Sequence, residues 1–70
     1  MMEVTSELAA TVWKVEVAPG APVQEEDTLL VLESMKMEIP VLAEGAGVVR
    51  EIRVQEGDSV EEGDVLLVLE

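Results

Sequence analysis

The chain has 70 residues with no cysteine and no histidine, and its 16 acidic against 4 basic residues leave a net charge of −12. These counts exclude a disulfide, a thiolate ligand and a histidine-based catalytic triad, and they argue against a zinc site. Only carboxylates remain as metal ligands, and they show no calcium-loop spacing, so we expect no metal site. The negative charge argues against nucleic acid or an anionic membrane as the main partner. The longest apolar run, Val65 to Leu69, is too short to span a bilayer, and no export signal is evident. We therefore expect one small cytoplasmic domain over residues 1–70.

Short β-strands are predicted along the whole chain. Polar and apolar side chains alternate from Lys14 to Val17 and from Glu51 to Val54, which is typical of strands with one buried face. Leu29 to Leu32 and Val65 to Leu69 are continuous apolar runs of strand length and should be the most buried strands. The core should be aliphatic, with Trp13 as its only aromatic residue. Turn residues separate the strands at Pro19-Gly20, Gly45-Ala46-Gly47, Gly57-Asp58 and Gly63-Asp64. The pattern predicts an all-β sandwich or flattened barrel.

The chain also repeats itself with a period of 37 residues. Ten of the seventeen columns that align 17–33 with 54–70 are identical, so residues 2–33 and 39–70 form two copies of one unit. Two such halves should pack about an approximate two-fold axis, and the joint over 34–38 should be a hairpin at one end of the body. Ala10 aligns with Gly47, and if that corner needs a positive φ the alanine would be strained.

Lys36 lies in this joint, between Met35 and Met37. Two-residue hairpin turns favour Asn-Gly or Gly-Gly, because both central residues need a positive φ, so Met-Lys is a poor turn sequence. Methionines at a tip would be exposed without benefit to folding. The simpler interpretation is an ordinary surface lysine, but such local conflicts tend to mark functional sites.

Ser34-Met35-Lys36-Met37 resembles the attachment motif of biotinyl domains, the biotin carboxyl carrier family. Glu38 to Val41, Gly45 to Val49 and Gln55 to Leu66 also resemble that family. The resemblance implies a barrel-sandwich hybrid of two four-stranded antiparallel sheets, with the lysine on the hairpin between the fourth and fifth strands. It also implies that Lys36 is biotinylated by a biotin protein ligase, with Met35 and Met37 as flanking recognition residues.

By the same resemblance the chain is not an enzyme and has no catalytic residue. It is a carrier subunit whose biotin shuttles a carboxyl group between a biotin carboxylase and a carboxyltransferase. Lipoyl domains are similar in fold but usually have Asp before the lysine and Ala after it, so Met35 and Met37 favour biotin over lipoate. A lipoyl carrier of a 2-oxo acid dehydrogenase or glycine-cleavage type system is the alternative, and an unmodified assembly module is a third possibility.

Overall fold

The computed structural model describes all residues from Met1 to Glu70, and they form eight β-strands without a helix. Accordingly no helix is present that could cross a membrane. The body measures 30 × 17 × 17 Å. The strands are β1 (Met2–Thr5), β2 (Ala10–Val15), β3 (Pro22–Val23), β4 (Thr28–Ser34), β5 (Met37–Leu42), β6 (Gly47–Ile52), β7 (Ser59–Val60) and β8 (Val65–Leu69).

Two four-stranded antiparallel sheets make up the fold, which confirms the predicted class. One sheet has the order β1-β8-β6-β3 and the other has the order β5-β4-β2-β7. A shift of 37 residues carries each strand of the first sheet onto its counterpart in the second. Each sheet therefore takes two strands from each half of the repeat, and neither half forms a sheet alone. The backbone hydrogen bonds obey the same symmetry: Gly20 N donates to Val49 O at 2.7 Å, and Gly57 N donates to Val12 O at 2.8 Å.

The core lies between the sheets and is entirely aliphatic. The two continuous apolar runs are its centre, as predicted, because β4 and β8 each lie inside a sheet with a neighbour on both sides. Burying this surface is the main stabilising term for a chain of this size. The fully buried side chains are Val12, Leu29, Leu30, Leu32, Val49, Leu66 and Leu67.

The prediction that Trp13 belongs to the core is wrong, because its side chain is 43% exposed. Val12 pairs with Leu32 and Lys14 pairs with Val31, so Trp13 is the extra residue of a β-bulge. Because Val12 is buried, strand alternation points the next residue, Trp13, to the outside of the sheet, and the bulge leaves Lys14 on that outer face as well. The Lys14 Nζ lies 5.4 Å from the ring centroid. The core is consequently built without any aromatic side chain.

The alternating segments locate β2 and β6 only approximately. Both strands begin four residues before the alternation and end two residues before its end. Beyond each strand the chain still follows its neighbour, since Glu16 N donates to Leu29 O and Arg53 N donates to Leu66 O, both at 2.9 Å. Alternation therefore continues where regular pairing has already ended.

Ala10 and Gly47 are equivalent corners in the two copies of the repeat, and neither has a positive φ. Gly47 is instead required for close packing, because a Cβ atom there would lie 2.7 Å from the backbone oxygen of Glu70. The strained position is Glu26, which has φ 74° where its repeat counterpart Gly63 has φ 91°. An L-residue in this region is disfavoured relative to glycine, so the first copy has an imperfect turn at Glu26 rather than at Ala10.

Candidate functional site

The hairpin between β4 and β5 is the most prominent local feature of the structure. The two strands pair from Thr28 opposite Leu42 up to Ser34 opposite Met37. Only Met35 and Lys36 remain to form the turn. Their φ angles are 54° and 64°, so both residues are left-handed, as a type I′ turn requires. The structure thus places Lys36 at the tip of a regular two-stranded arm, between the fourth and fifth strands.

This turn is unfavourable for the residues that form it. Holding an L-residue in the left-handed region costs roughly 1–2 kcal/mol, whereas glycine adopts it freely. Glu26 is the only other non-glycine residue of the chain with a positive φ. The surrounding ladder holds the tip in place, because six residue pairs connect β4 to β5. The paired strands therefore stabilise a turn conformation that is intrinsically unfavourable for Met35 and Lys36.

All three side chains at the tip are exposed. Met35 is 92% exposed and Met37 is 63% exposed, so neither folds back over the aliphatic body. Lys36 is also exposed. No hydrogen bond or ion pair within the chain involves its ammonium group, and the single salt bridge joins Arg53 to Glu51 elsewhere. The amine is therefore free to react with a group supplied from outside.

The environment of Lys36 presents the amine but does not activate it. Glu33 and Glu38 face each other across the ladder below the tip, and both are exposed. Neither makes a hydrogen bond or an ion pair with the lysine. No group of three or more acidic side chains is arranged to hold a metal ion. A small acid such as biotin fits this site as an amide on the lysine nitrogen, since a protruding, unpaired primary amine is what such a linkage needs.

The other lysine of the chain has a different setting. Lys14 lies on β2, in the middle of a sheet, with its ammonium group over the Trp13 ring. It belongs to regular secondary structure and not to a turn. The structure therefore distinguishes the two lysines clearly, and only Lys36 stands at a tip.

Sequence reasoning missed the exposure of Trp13, although a signal for it was present. Trp13 aligns with Arg50 in the 37-residue repeat, and Arg50 is an exposed residue at the corresponding bulge of β6. A position occupied by arginine in one copy is more typical of surface than of core. Sequence reasoning also missed an open groove of about 610 Å³ between β1 and β5 that includes none of the tip residues.

Comparison with known proteins agrees with this geometry. The family model described as Biotin-requiring enzyme, of the biotin/lipoyl family, matches residues 1–69. The biotinylated protein TB7.3 homolog of Mycolicibacterium smegmatis is 56% identical over 41 residues. That alignment covers 59% of this chain and 58% of the relative, so the matched segment spans little more than half of the relative's length.

Two solved structures superpose closely on the chain. A single-chain, multi-domain long-chain acyl-CoA carboxylase gives a TM-score of 0.92 at 35% identity, covering 97% of this chain and 7% of that protein. The lipoyl domain of the 2-oxoglutarate dehydrogenase complex from Azotobacter vinelandii gives 0.78 at 35% identity, covering 89% of this chain and 78% of that domain. Because the family model matches almost every residue, the chain belongs to the biotin/lipoyl family of biotin-requiring enzymes.

Proposed function

We propose that residues 1–70 act as a biotin carboxyl carrier domain in which biotin is bound covalently to Lys36. The observation that carries this proposal is the geometry of the tip: an exposed, unpaired amine on a strained two-residue turn, with exposed methionines on both sides. A turn that served only to reverse the chain would be more stable with Asn-Gly. Retaining Met-Lys-Met at this position is understandable if the side chains themselves are used.

Attachment of biotin would use the nitrogen of Lys36 as a nucleophile. The ammonium loses a proton, and the neutral amine attacks the carboxyl carbon of biotinyl-adenylate. A C–N bond forms, the C–O bond to AMP breaks, and the nitrogen loses its second proton to give the amide. Since no carboxylate or histidine of this chain contacts Lys36, the biotin protein ligase has to supply the base as well as the adenylate. The chain contributes position, because the ladder fixes the backbone of the turn that carries the lysine and so reduces the entropy lost on docking.

Met35 and Met37 are proposed as recognition residues. Methionine is unbranched and polarizable, and it adapts to surfaces of different shape. The tip must fit a ligase and then the enzymes that use the attached group. Exposed and flexible side chains beside the lysine are suited to several partners in turn.

Bound biotin would accept a carboxyl group at a biotin carboxylase and release it at a carboxyltransferase. The lysine stem and the biotin side chain give a reach on the order of 10–15 Å, from about ten bonds of ordinary length. One arm can thereby visit two active sites without diffusing away, which raises the effective concentration of the carried group. The domain has no catalytic residue in this scheme. Its cytoplasmic location stays a prediction.

A lipoyl carrier is the second candidate, since the Azotobacter vinelandii lipoyl domain shares the fold at a TM-score of 0.78. Biotin is favoured because methionines flank the lysine, and because the superposition on the acyl-CoA carboxylase is closer, at 0.92.

Intact-mass spectrometry after co-expression with a biotin protein ligase, or with a lipoate ligase, distinguishes the two carriers. We expect one biotinyl addition on the unchanged chain and none on Lys36→Arg. The matched control, Lys14→Arg, should be biotinylated to the same extent as the unchanged chain. Addition to Lys36→Arg, or loss of addition in Lys14→Arg, would show that another amine is used.

A further inference from the structure

The outer face of the sheet that carries the hairpin has an apolar stripe, formed by Trp13, Val31, Pro40 and Leu42. Val31 on β4 pairs with Pro40 on β5 and with Lys14 on β2, and Trp13 is the bulged residue beside it. Leu42 lies two residues beyond Pro40 on β5 and therefore points to the same face. Trp13 is 43% exposed and Leu42 is 44% exposed. The stripe thus crosses three adjacent strands.

The second sheet serves as an internal control, because it is built from the same repeat. Three of the four corresponding positions on its outer face are polar, and the valine at the fourth is covered. Val68, the counterpart of Val31, is only 3% exposed. Arg50 reaches over β8 and its Nη1 lies 2.7 Å from the sulfur of Met1. The fold therefore does not need apolar residues on this face, which leaves the stripe unexplained by folding. The counterparts of the stripe residues are Arg50, Val68, Glu3 and Thr5.

The stripe lies at a defined distance from the tip. Pro40 is four residues from Lys36 along β5, which corresponds to roughly 13 Å at the rise of a β-strand. The lysine side chain spans only about 6 Å from Cα to nitrogen, counted over five bonds of ordinary length. An enzyme that acylates this nitrogen must keep its reactive adenylate away from water, so the adenylate lies below the enzyme surface. If the adenylate lies deeper than the lysine side chain can reach, the hairpin itself has to enter the cleft.

This difference in reach selects one partner. An enzyme that acts on the group after attachment is reached by the longer arm, and it needs to contact only the tip. The enzyme that makes the attachment has to bring its walls down the sides of the hairpin. The rim of that enzyme's cleft then lies beside the Val31–Pro40 pair. The apolar stripe is therefore continuous with the part of the hairpin that the enzyme must cover.

We propose that the apolar stripe is the docking surface for the biotin protein ligase, an inference that rests on the proposed function. The matching ligase surface has an apolar hollow for the Trp13 ring. Toward the tip it has basic side chains, because Glu33 and Glu38 lie exposed between the stripe and Lys36 without any cation of this chain paired to them. Burying an exposed aromatic ring in a partner's hollow is the kind of contact that dominates binding energy.

The test is the steady-state rate of biotinylation of the full chain, measured by intact mass with ligase, biotin and ATP at several carrier concentrations. The variant Trp13→Thr/Leu42→Thr replaces the two large exposed side chains of the stripe without changing charge. We expect its KM for the carrier to rise on the order of tenfold, with kcat nearly unchanged, because only binding is lost. Val48→Thr is the matched control, since Val48 is 41% exposed on the other sheet. Its KM should stay at the value of the unchanged chain.

Any other outcome refutes the proposed docking surface. A KM for the double variant that is unchanged, or that rises equally in Val48→Thr, shows that the stripe does not bind the ligase. A fall in kcat at constant KM would place the effect at the chemical step instead. If circular dichroism shows the double variant to be unfolded, Trp13→Thr alone is used and must raise KM. Failure to load even the unchanged chain would refute the proposed function and this inference together, whereas loading with an unaltered KM in the variant refutes only the inference.

Discussion

Replacing Lys36 by glycine should stabilise the domain. Lys36 has φ 64°, and releasing an L-residue from the left-handed region gains roughly 1–2 kcal/mol. Glycine also makes the unfolded chain more flexible, which offsets about 0.5–1 kcal/mol of that gain. The net stabilisation is centred on about 0.75 kcal/mol, which raises the Tm of a domain of this size by about 3–6 °C. The residue proposed to do the chemistry is thus expected to destabilise the fold.

The comparison should be made with Lys36→Arg and not with the unchanged chain. Arginine removes the reactive amine but keeps a side chain in the same backbone conformation, so modification does not affect the difference. Thermal unfolding followed by circular dichroism measures both Tm values. Thr11→Gly is the second control, because Thr11 lies on strand β2 where φ is not positive, and it should be destabilised by about 1 kcal/mol. A Lys36→Gly variant no more stable than Lys36→Arg would refute the idea of a strained tip.

Three further substitutions test the fold that supports the tip. Glu26→Gly should stabilise the domain by about 0.5–1 kcal/mol in urea titrations. Gly63→Ala, at the corresponding turn of the second copy, should destabilise it by about 1–2 kcal/mol. Equal effects of the same sign would contradict the repeat. Gly47→Ala should lower the free energy of unfolding by about 1–3 kcal/mol, because the new Cβ would lie 2.7 Å from Glu70 O, and an unchanged urea midpoint would show that the chain end moves freely. Leu30→Ala, at a side chain with 0% exposure, should lower the free energy of unfolding by about 2–5 kcal/mol. Circular dichroism should then show a chain that is largely unfolded at room temperature, whereas native-like melting would argue against a shared core.

Strain and exposure at the tip follow from one requirement. In the proposed function the lysine has to project from the body, and a two-residue turn places it farther out than a longer, collapsed loop would. Such a turn demands a positive φ at both residues, so Met35 and Lys36 are strained because of where they stand. The six pairs of the β4–β5 ladder provide the stability that holds them there.

The sequence by itself was sufficient for the parts of the protein that depend on local pattern and on repetition. The apolar runs identified β4 and β8, and the 37-residue period identified two equivalent halves with Lys36 in the joint. Local pattern works for these features because the strand period and the turn residues are properties of neighbouring residues. The attachment role of Lys36, Met35 and Met37 came from the resemblance of their motif and stays a proposal.

Only the tertiary structure decided how the halves combine and which side chains remain outside. The repeat alone does not say that each sheet takes two strands from each half, because strand pairing connects residues that are far apart in the chain. Hydrophobicity predicted Trp13 in the core, but its neighbour Val12 occupies the inner face of β2, so strand alternation leaves Trp13 outside. Likewise Gly47 is needed for an approach to Glu70, a contact between distant residues that no local pattern records.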